Sequence, residues 1–94
     1  MSKRRVPTKV KFSPQATEDI LFWEKSGNKK AIKKILDLIN DCLKTPYSGI
    51  GSPEQLRYQA RDTYSRRIDR VNRLVYIVDG EDLFIISARY HYEK

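Results

Sequence analysis

The chain holds a single histidine, His91, and the residues at alternate positions before it are Arg89 and Ser87. Further upstream, Ser65 and Arg67 share the same parity in one strand-like segment, Arg73 stands at the head of another, and Glu54 lies just ahead of a third. A carboxylate, several guanidiniums and an imidazole gathered on one face are the groups needed to cut RNA without a metal. Glu54 would deprotonate a ribose 2′-hydroxyl, Arg73 would hold the charge that builds on phosphorus, and His91 would protonate the departing 5′-oxygen. A carboxylate is a weak base for a hydroxyl, so the reaction would depend on in-line positioning and on the field of the neighbouring arginines. An imidazole, whose ordinary pKa lies near ~6.5, reaches the protonated form when carboxylate or phosphate charge surrounds it. The products would be a 2′,3′-cyclic phosphate and a free 5′-hydroxyl.

Residue types alone leave a plainer reading open. A histidine near the end of a chain is more often a tail residue, and each arginine is more often a surface charge. Tyr90 and Tyr92 have the opposite parity to His91, which fits packing at a sheet edge as well as base stacking.

The elements that would carry these groups can be read from periodicity. Val10-Lys11-Phe12 alternates like a strand, and Ser13-Pro14 reads as an N-cap followed by proline at the first helical position. The spacing of Ala16, Ile20 and Trp23 predicts a helix over about Pro14 to Ser26, stopped by Gly27-Asn28. From Lys29, the positions of Ile32, Ile35, Leu36, Ile39, Cys42 and Leu43 form an apolar stripe on a second helix, which Thr45-Pro46 ends. The period then changes to two in Leu56 to Gln59, Tyr64 to Arg70, Leu74 to Val78 and Leu83 to Tyr90. Short connections at Asp62-Thr63, Val71-Asn72 and Asp79-Gly80 favour pairing in sequence. The expected fold is α+β: an N-terminal strand and a two-helix antiparallel hairpin packed on a four-stranded antiparallel meander. Parity assigns Ile68, Leu74, Tyr76, Val78, Phe84, Ile86 and Ala88 to the core face and leaves Ser65, Arg67, Arg73, Ser87, Arg89 and His91 on the other. Gly49-Ile50-Gly51 lacks the lysine of a phosphate-binding loop and reads as a turn.

With 94 residues, 39% hydrophobic and 33% charged, the chain is expected to form a single domain over 1–94, with residues 1–8 a flexible basic arm. The net charge of +7 calls for an anionic partner, and nucleic acid fits because each neutralised phosphate releases counterions. One cysteine, Cys42, and no Cys/His cluster with metal-ligand spacing point to a reducing compartment, no metal and no cofactor. No run is long enough to span a bilayer, so no membrane role and a cytoplasmic location are expected.

Five stretches carry a family resemblance: Thr45-Pro46-Tyr47, Gly49-Ile50-Gly51-Ser52-Pro53-Glu54, Tyr64-Ser65-Arg66-Arg67-Ile68, Asn72-Arg73-Leu74-Val75-Tyr76 and Arg89-Tyr90-His91-Tyr92. In order and spacing they resemble the YoeB branch of the RelE superfamily, over about Val10 to Tyr92 and including Phe22-Trp23. The resemblance implies the toxin of a type II toxin–antitoxin pair, an mRNA interferase that enters the A site of the 70S ribosome and cleaves mRNA there. It also implies a cognate, YefM-like antitoxin whose C-terminal segment wraps the catalytic domain, and it is compatible with a homodimer. Carried over by position, Glu54 is the general base, Arg73 the phosphate-stabilising arginine, His91 the general acid and Tyr92 the tyrosine that follows it. Arg67 matches a second active-site arginine, and Arg57 stands where the family usually has a substrate-contacting lysine. Together with Arg89, read from parity, these are the substrate-binding candidates.

The chain departs from the family pattern in three places. Asn72 replaces a common histidine, at a turn position suited to a residue that accepts a left-handed conformation. Glu93-Lys94 follow the His-Tyr pair, and the extension through Thr8 is longer than usual. Two rival classes share the expected fold. A ParE-like gyrase inhibitor would need neither Glu54 nor His91, and in a non-catalytic basic RNA-binding module the arginines would only hold phosphates.

Overall fold

The computed structural model describes residues 6–57 and 61–89; Tyr90, His91, Tyr92 and residues 1–5 of the expected arm lie outside the described residues. The chain runs β1 (Lys9–Phe12), α1 (Pro14–Lys25), α2 (Lys29–Lys44), β2 (Glu54–Leu56), β3 (Thr63–Arg67), β4 (Arg73–Asp79) and β5 (Asp82–Ser87). The strands form one sheet in the order β1-β5-β4-β3-β2. As the short connections predict, β2 to β5 pair antiparallel in succession. β1 adds itself to the free edge of β5 in parallel, Val10 opposite Leu83, so the meander becomes a five-stranded mixed sheet. Just ahead of β1, Pro7 is fully buried and the Thr8 N–H donates to Glu81 O at 2.8 Å, so the end of the expected arm already belongs to the fold.

The start of α1 follows its sequence signal, and Asn28, expected only as part of the stop after α1, also caps α2. Ser13 Oγ accepts the Ala16 N–H, and Pro14 occupies the first turn, where a missing donor costs nothing. Gly27 takes φ +72, the left-handed turn that separates the helices, and Asn28 caps α2 by accepting the Ala31 N–H. The buried stripe of α2 is Ala31, Ile35, Leu38, Ile39 and Cys42. It is rotated from the expected one: Leu36 is 56% exposed, and Leu38 takes its place in the core.

The core face of β5 also departs from simple alternation. Phe84, expected inside, is exposed, and Ile86 is half-buried, whereas Leu83 and Ile85 are fully buried. The cause is a β-bulge: Val75 pairs with Ser87 but Tyr76 pairs with Ile85, so Ile86 is the extra residue and parity reverses across it. Beyond the bulge the expected assignment holds for Ala88, which is buried, and for Ser87, on the opposite face, whereas Arg89, expected beside Ser87, lies instead against Phe22 of α1.

A bulge leaves backbone groups without ladder partners, and α1 supplies them. Ser13 Oγ donates to Ile86 O at 2.7 Å, Asp19 Oδ2 accepts the Ala88 N–H at 2.8 Å, and Trp23 Nε1 donates to Ala88 O at 2.8 Å. Asp19 and Trp23 are both buried, so α1 fixes where the chain leaves the sheet.

Candidate active site

Glu54 opens β2 opposite Ser65 of β3, and two residues further along β3 Arg67 lies opposite Arg73 of β4. Arg66, between them, is buried on the helix side together with its partner Leu74. Side chains alternate along a strand, so Glu54, Ser65, Arg67 and Arg73 leave the sheet on the face that carries no helix.

Arg73 is the centre of this group. Its Nη1 donates to Ser65 Oγ at 2.7 Å and its Nη2 to Glu54 Oε1 at 3.3 Å. Its side chain is 15% exposed against 62% for Glu54, so the guanidinium is set into the surface and the carboxylate stands at the rim. Arg67 is exposed directly across from it. Like charges opposite each other on one sheet face repel, and an anion placed between them removes that cost. The arrangement offers a proton acceptor beside two cations on one face of the sheet.

Arg73 owes its position to the tight turn before it. Asp69 Oδ1 accepts the N–H groups of Val71 and Asn72 at 2.8 and 2.7 Å, and the Asn72 side-chain amide donates to the same carboxylate. Burial works against the Asp69 charge, but these hydrogen bonds outweigh it and lower its pKa. Asn72 does not take the left-handed conformation expected for it; Ser52, with φ 51, is the described non-glycine residue that does. Asn72 suits its place because its amide closes the turn.

The remaining candidates fall differently. Arg57 is exposed just past the end of β2 and makes no hydrogen bond or ion pair with another described residue. Arg89 is seated on α1, its guanidinium carbon 3.5 Å from the centroid of the Phe22 ring, a cation–π contact. His91 and Tyr92 lie outside the described residues. Cys42 is core, as expected, and burial pushes its thiol up to about 11, which makes it a poor nucleophile.

Ser65, which sequence reasoning placed on this face without giving it a role, accepts the Arg73 Nη1 hydrogen bond and so joins the candidate site. Its signal was the register: only the pairing of Glu54 with Ser65 shows that both can reach the same guanidinium.

In sequence and in fold the chain is similar to known bacterial toxins. The family model for the YoeB-like toxin of bacterial type II toxin-antitoxin systems matches residues 12–92. Toxin YoeB of Escherichia coli (strain K12) is 40% identical over 84 residues, which covers 89% of this chain and 99% of that protein. A YoeB dimer from Staphylococcus aureus superposes with a TM-score of 0.83 at 40% identity, over 95% of this chain and 100% of that one. The toxin chain of a heterotetrameric YoeB-YefM complex from the same organism gives 0.80 at 41% identity, over 89% and 97%.

Proposed function

The chain belongs to the YoeB-like toxin family of bacterial type II toxin–antitoxin systems, and on that premise we propose that it is a ribosome-dependent endoribonuclease that cuts messenger RNA in the A site. The observation that carries this reading is the Arg73 guanidinium bridging Ser65 and Glu54 on a cationic face. Glu54 takes the proton from the 2′-hydroxyl, and the oxygen so activated attacks the adjacent phosphorus. Arg73, with Arg67 opposite, holds the charge that builds on the phosphoryl oxygens, an electrostatic role best performed by donors fixed beforehand. His91 gives a proton to the 5′-oxygen as its bond to phosphorus breaks, leaving a 2′,3′-cyclic phosphate and a 5′-hydroxyl. Arg57 and Arg89 bind flanking phosphates, and Tyr92 completes the site beside His91.

A YefM-like antitoxin is the regulatory partner, a reading supported by the staphylococcal YoeB-YefM complex, and the staphylococcal dimer supports a homodimer. The net charge of +7 favours an acidic antitoxin segment on the same face.

Primer extension on a translated messenger tests the reading, comparing the unaltered protein with Glu54→Ala, Arg73→Ala and His91→Ala, each with and without ribosomes. Ribosome-dependent cuts that vanish in the variants are the expected result. Folded protein that binds RNA without cutting it would point instead to a non-catalytic module, and inhibition of gyrase to the ParE-like alternative.

A further inference from the structure

Arg66 is the largest of the fully buried side chains, at 0% exposure, and it faces the helices rather than the site. Nη1 donates to Asp41 Oδ2 at 2.7 Å and to Ile50 O at 3.1 Å, Nη2 to Thr45 O at 2.6 Å and Ser48 O at 2.9 Å, and Nε to the Tyr76 hydroxyl at 3.1 Å. All five N–H groups of the guanidinium are used. Asp41 Oδ2 also accepts the Ile50 N–H at 3.0 Å, so the carboxylate and the guanidinium hold Ile50 by its N–H and its carbonyl. The gripped segment is the loop from α2 to β2, and β2 begins with Glu54.

From that grip to Glu54 the chain has no slack. Gly51 O accepts the Arg67 N–H at 2.7 Å, and Gly51 lies so close to Leu38 that a Cβ there would stand 2.7 Å from Leu38 Cδ2. Ser52 adopts a left-handed φ of 51, and Pro53 fixes its own φ. Three consecutive residues of β3 therefore set both halves of the pair: Ser65 holds Arg73, the Arg66 side chain holds the loop, and the Arg67 N–H closes it.

We propose that Arg66 and Asp41 are positioning residues for the cleavage, placing Glu54 against Arg73 through the 45–53 loop; the proposal rests on Glu54 acting as the base. A residue that merely stabilised the fold would lower activity alike whether or not Glu54 is present. A positioning residue loses its effect once the group it positions is gone.

A double-mutant cycle separates these cases. Cleavage of a translated messenger is followed for Asp41→Asn, Glu54→Gln and the double variant, below the melting transition of each, with ribosome complex varied to give kcat and KM separately. Asp41→Asn is expected to lower kcat by roughly tenfold, equivalent to ~1.4 kcal/mol, with little change in KM. In the Glu54→Gln background the same substitution is expected to change kcat by less than about twofold. An equal loss in both backgrounds, or no loss in kcat, overturns the proposal. If Asp41→Asn does not fold, Arg66→Lys, which keeps the charge but loses the fork, takes its place in the cycle. Unchanged kcat in Glu54→Gln alone would overturn the assignment of the base, and with it the premise.

Discussion

Nη1 of Arg73 lies 2.7 Å from the Oγ of Ser65, and Ser65 is the direct register partner of Glu54. The Glu54–Arg73 ion pair is therefore set by backbone pairing rather than by a chance meeting of two long side chains. Such a partly exposed pair contributes little to stability, since solvent screens it. What it provides is a guanidinium whose orientation is set by two acceptors, Ser65 Oγ and Glu54 Oε1.

Ser65→Ala removes one of the two acceptors that fix Arg73 and leaves the strand otherwise intact. It should lower kcat for messenger cleavage by about tenfold, corresponding to the ~1–1.5 kcal/mol of one hydrogen bond, and move the melting temperature little. Single-turnover cleavage on programmed ribosomes measures this. A variant as fast as the parent would mean that Glu54 alone orients Arg73.

The bulge in β5 gives a prediction on which strict alternation and the observed register disagree. Ile85→Ala should cost about 2–5 kcal/mol because Ile85 is fully buried, whereas Phe84→Ala should cost less than its size suggests, since Phe84 is exposed. Urea denaturation of the two variants decides between them. Equal losses, or a larger loss at Phe84, would place the core face where unbroken alternation puts it.

These two cases show which features were legible in the sequence. Ser13-Pro14, Gly27-Asn28 and the change of period after Pro53 marked the helix starts, the hairpin and the meander, because capping and periodicity are local. Arg73 and Arg67 sat on one predicted face with Glu54 just ahead of the first strand of the meander, and the register of the sheet brings the three together. Ile86 carried no local sign that it would be the extra residue, since a bulge is set by its partner strand and by the Ser13 hydroxyl that takes its carbonyl. Arg66 was equally hidden: in sequence it is one of two adjacent arginines, and only the fold of the 45–51 loop tells the buried one from the exposed one.

Ala88 has both its backbone polar groups held by buried side chains of α1, which makes the end of β5 sensitive to substitutions distant in sequence. Trp23→Phe keeps most of the apolar surface but leaves Ala88 O without a donor, and Asp19→Ala does the same to the Ala88 N–H. Each should cost about 1–3 kcal/mol, because a buried group left unpaired loses its hydration without compensation. For a chain of this size that lowers the melting temperature by roughly 4–8 °C per kcal/mol. Thermal unfolding followed by circular dichroism checks it, and a Trp23→Phe variant melting with the parent would show that the carbonyl finds another donor.

The acid limb of stability should be governed in large part by Asp41. The hydrogen bond from Arg66 is the main influence lowering its pKa, against a smaller opposing effect of burial, and the Ile50 N–H adds to the lowering. Burial also works against the Arg66 charge, but the Tyr76 hydroxyl and the Asp41 carboxylate more than offset it, so the pair stays ionised. A carboxyl whose pKa is depressed on folding contributes stability above its unfolded value, near ~3.9, and loses it as pH falls through the lower folded value. Asp69, lowered in the same direction, adds to the same limb. Stability should therefore hold level from neutrality down to about pH 5 and fall below about pH 4, provided ionic strength is fixed. Asp41→Asn should be less stable than the parent near neutrality, and the gap should close as the parent's carboxyl is protonated. Urea midpoints for both proteins across that range test the assignment. A gap that stays constant into acid would mean that Asp41 holds the loop by shape and hydrogen bonding, with no contribution from its charge.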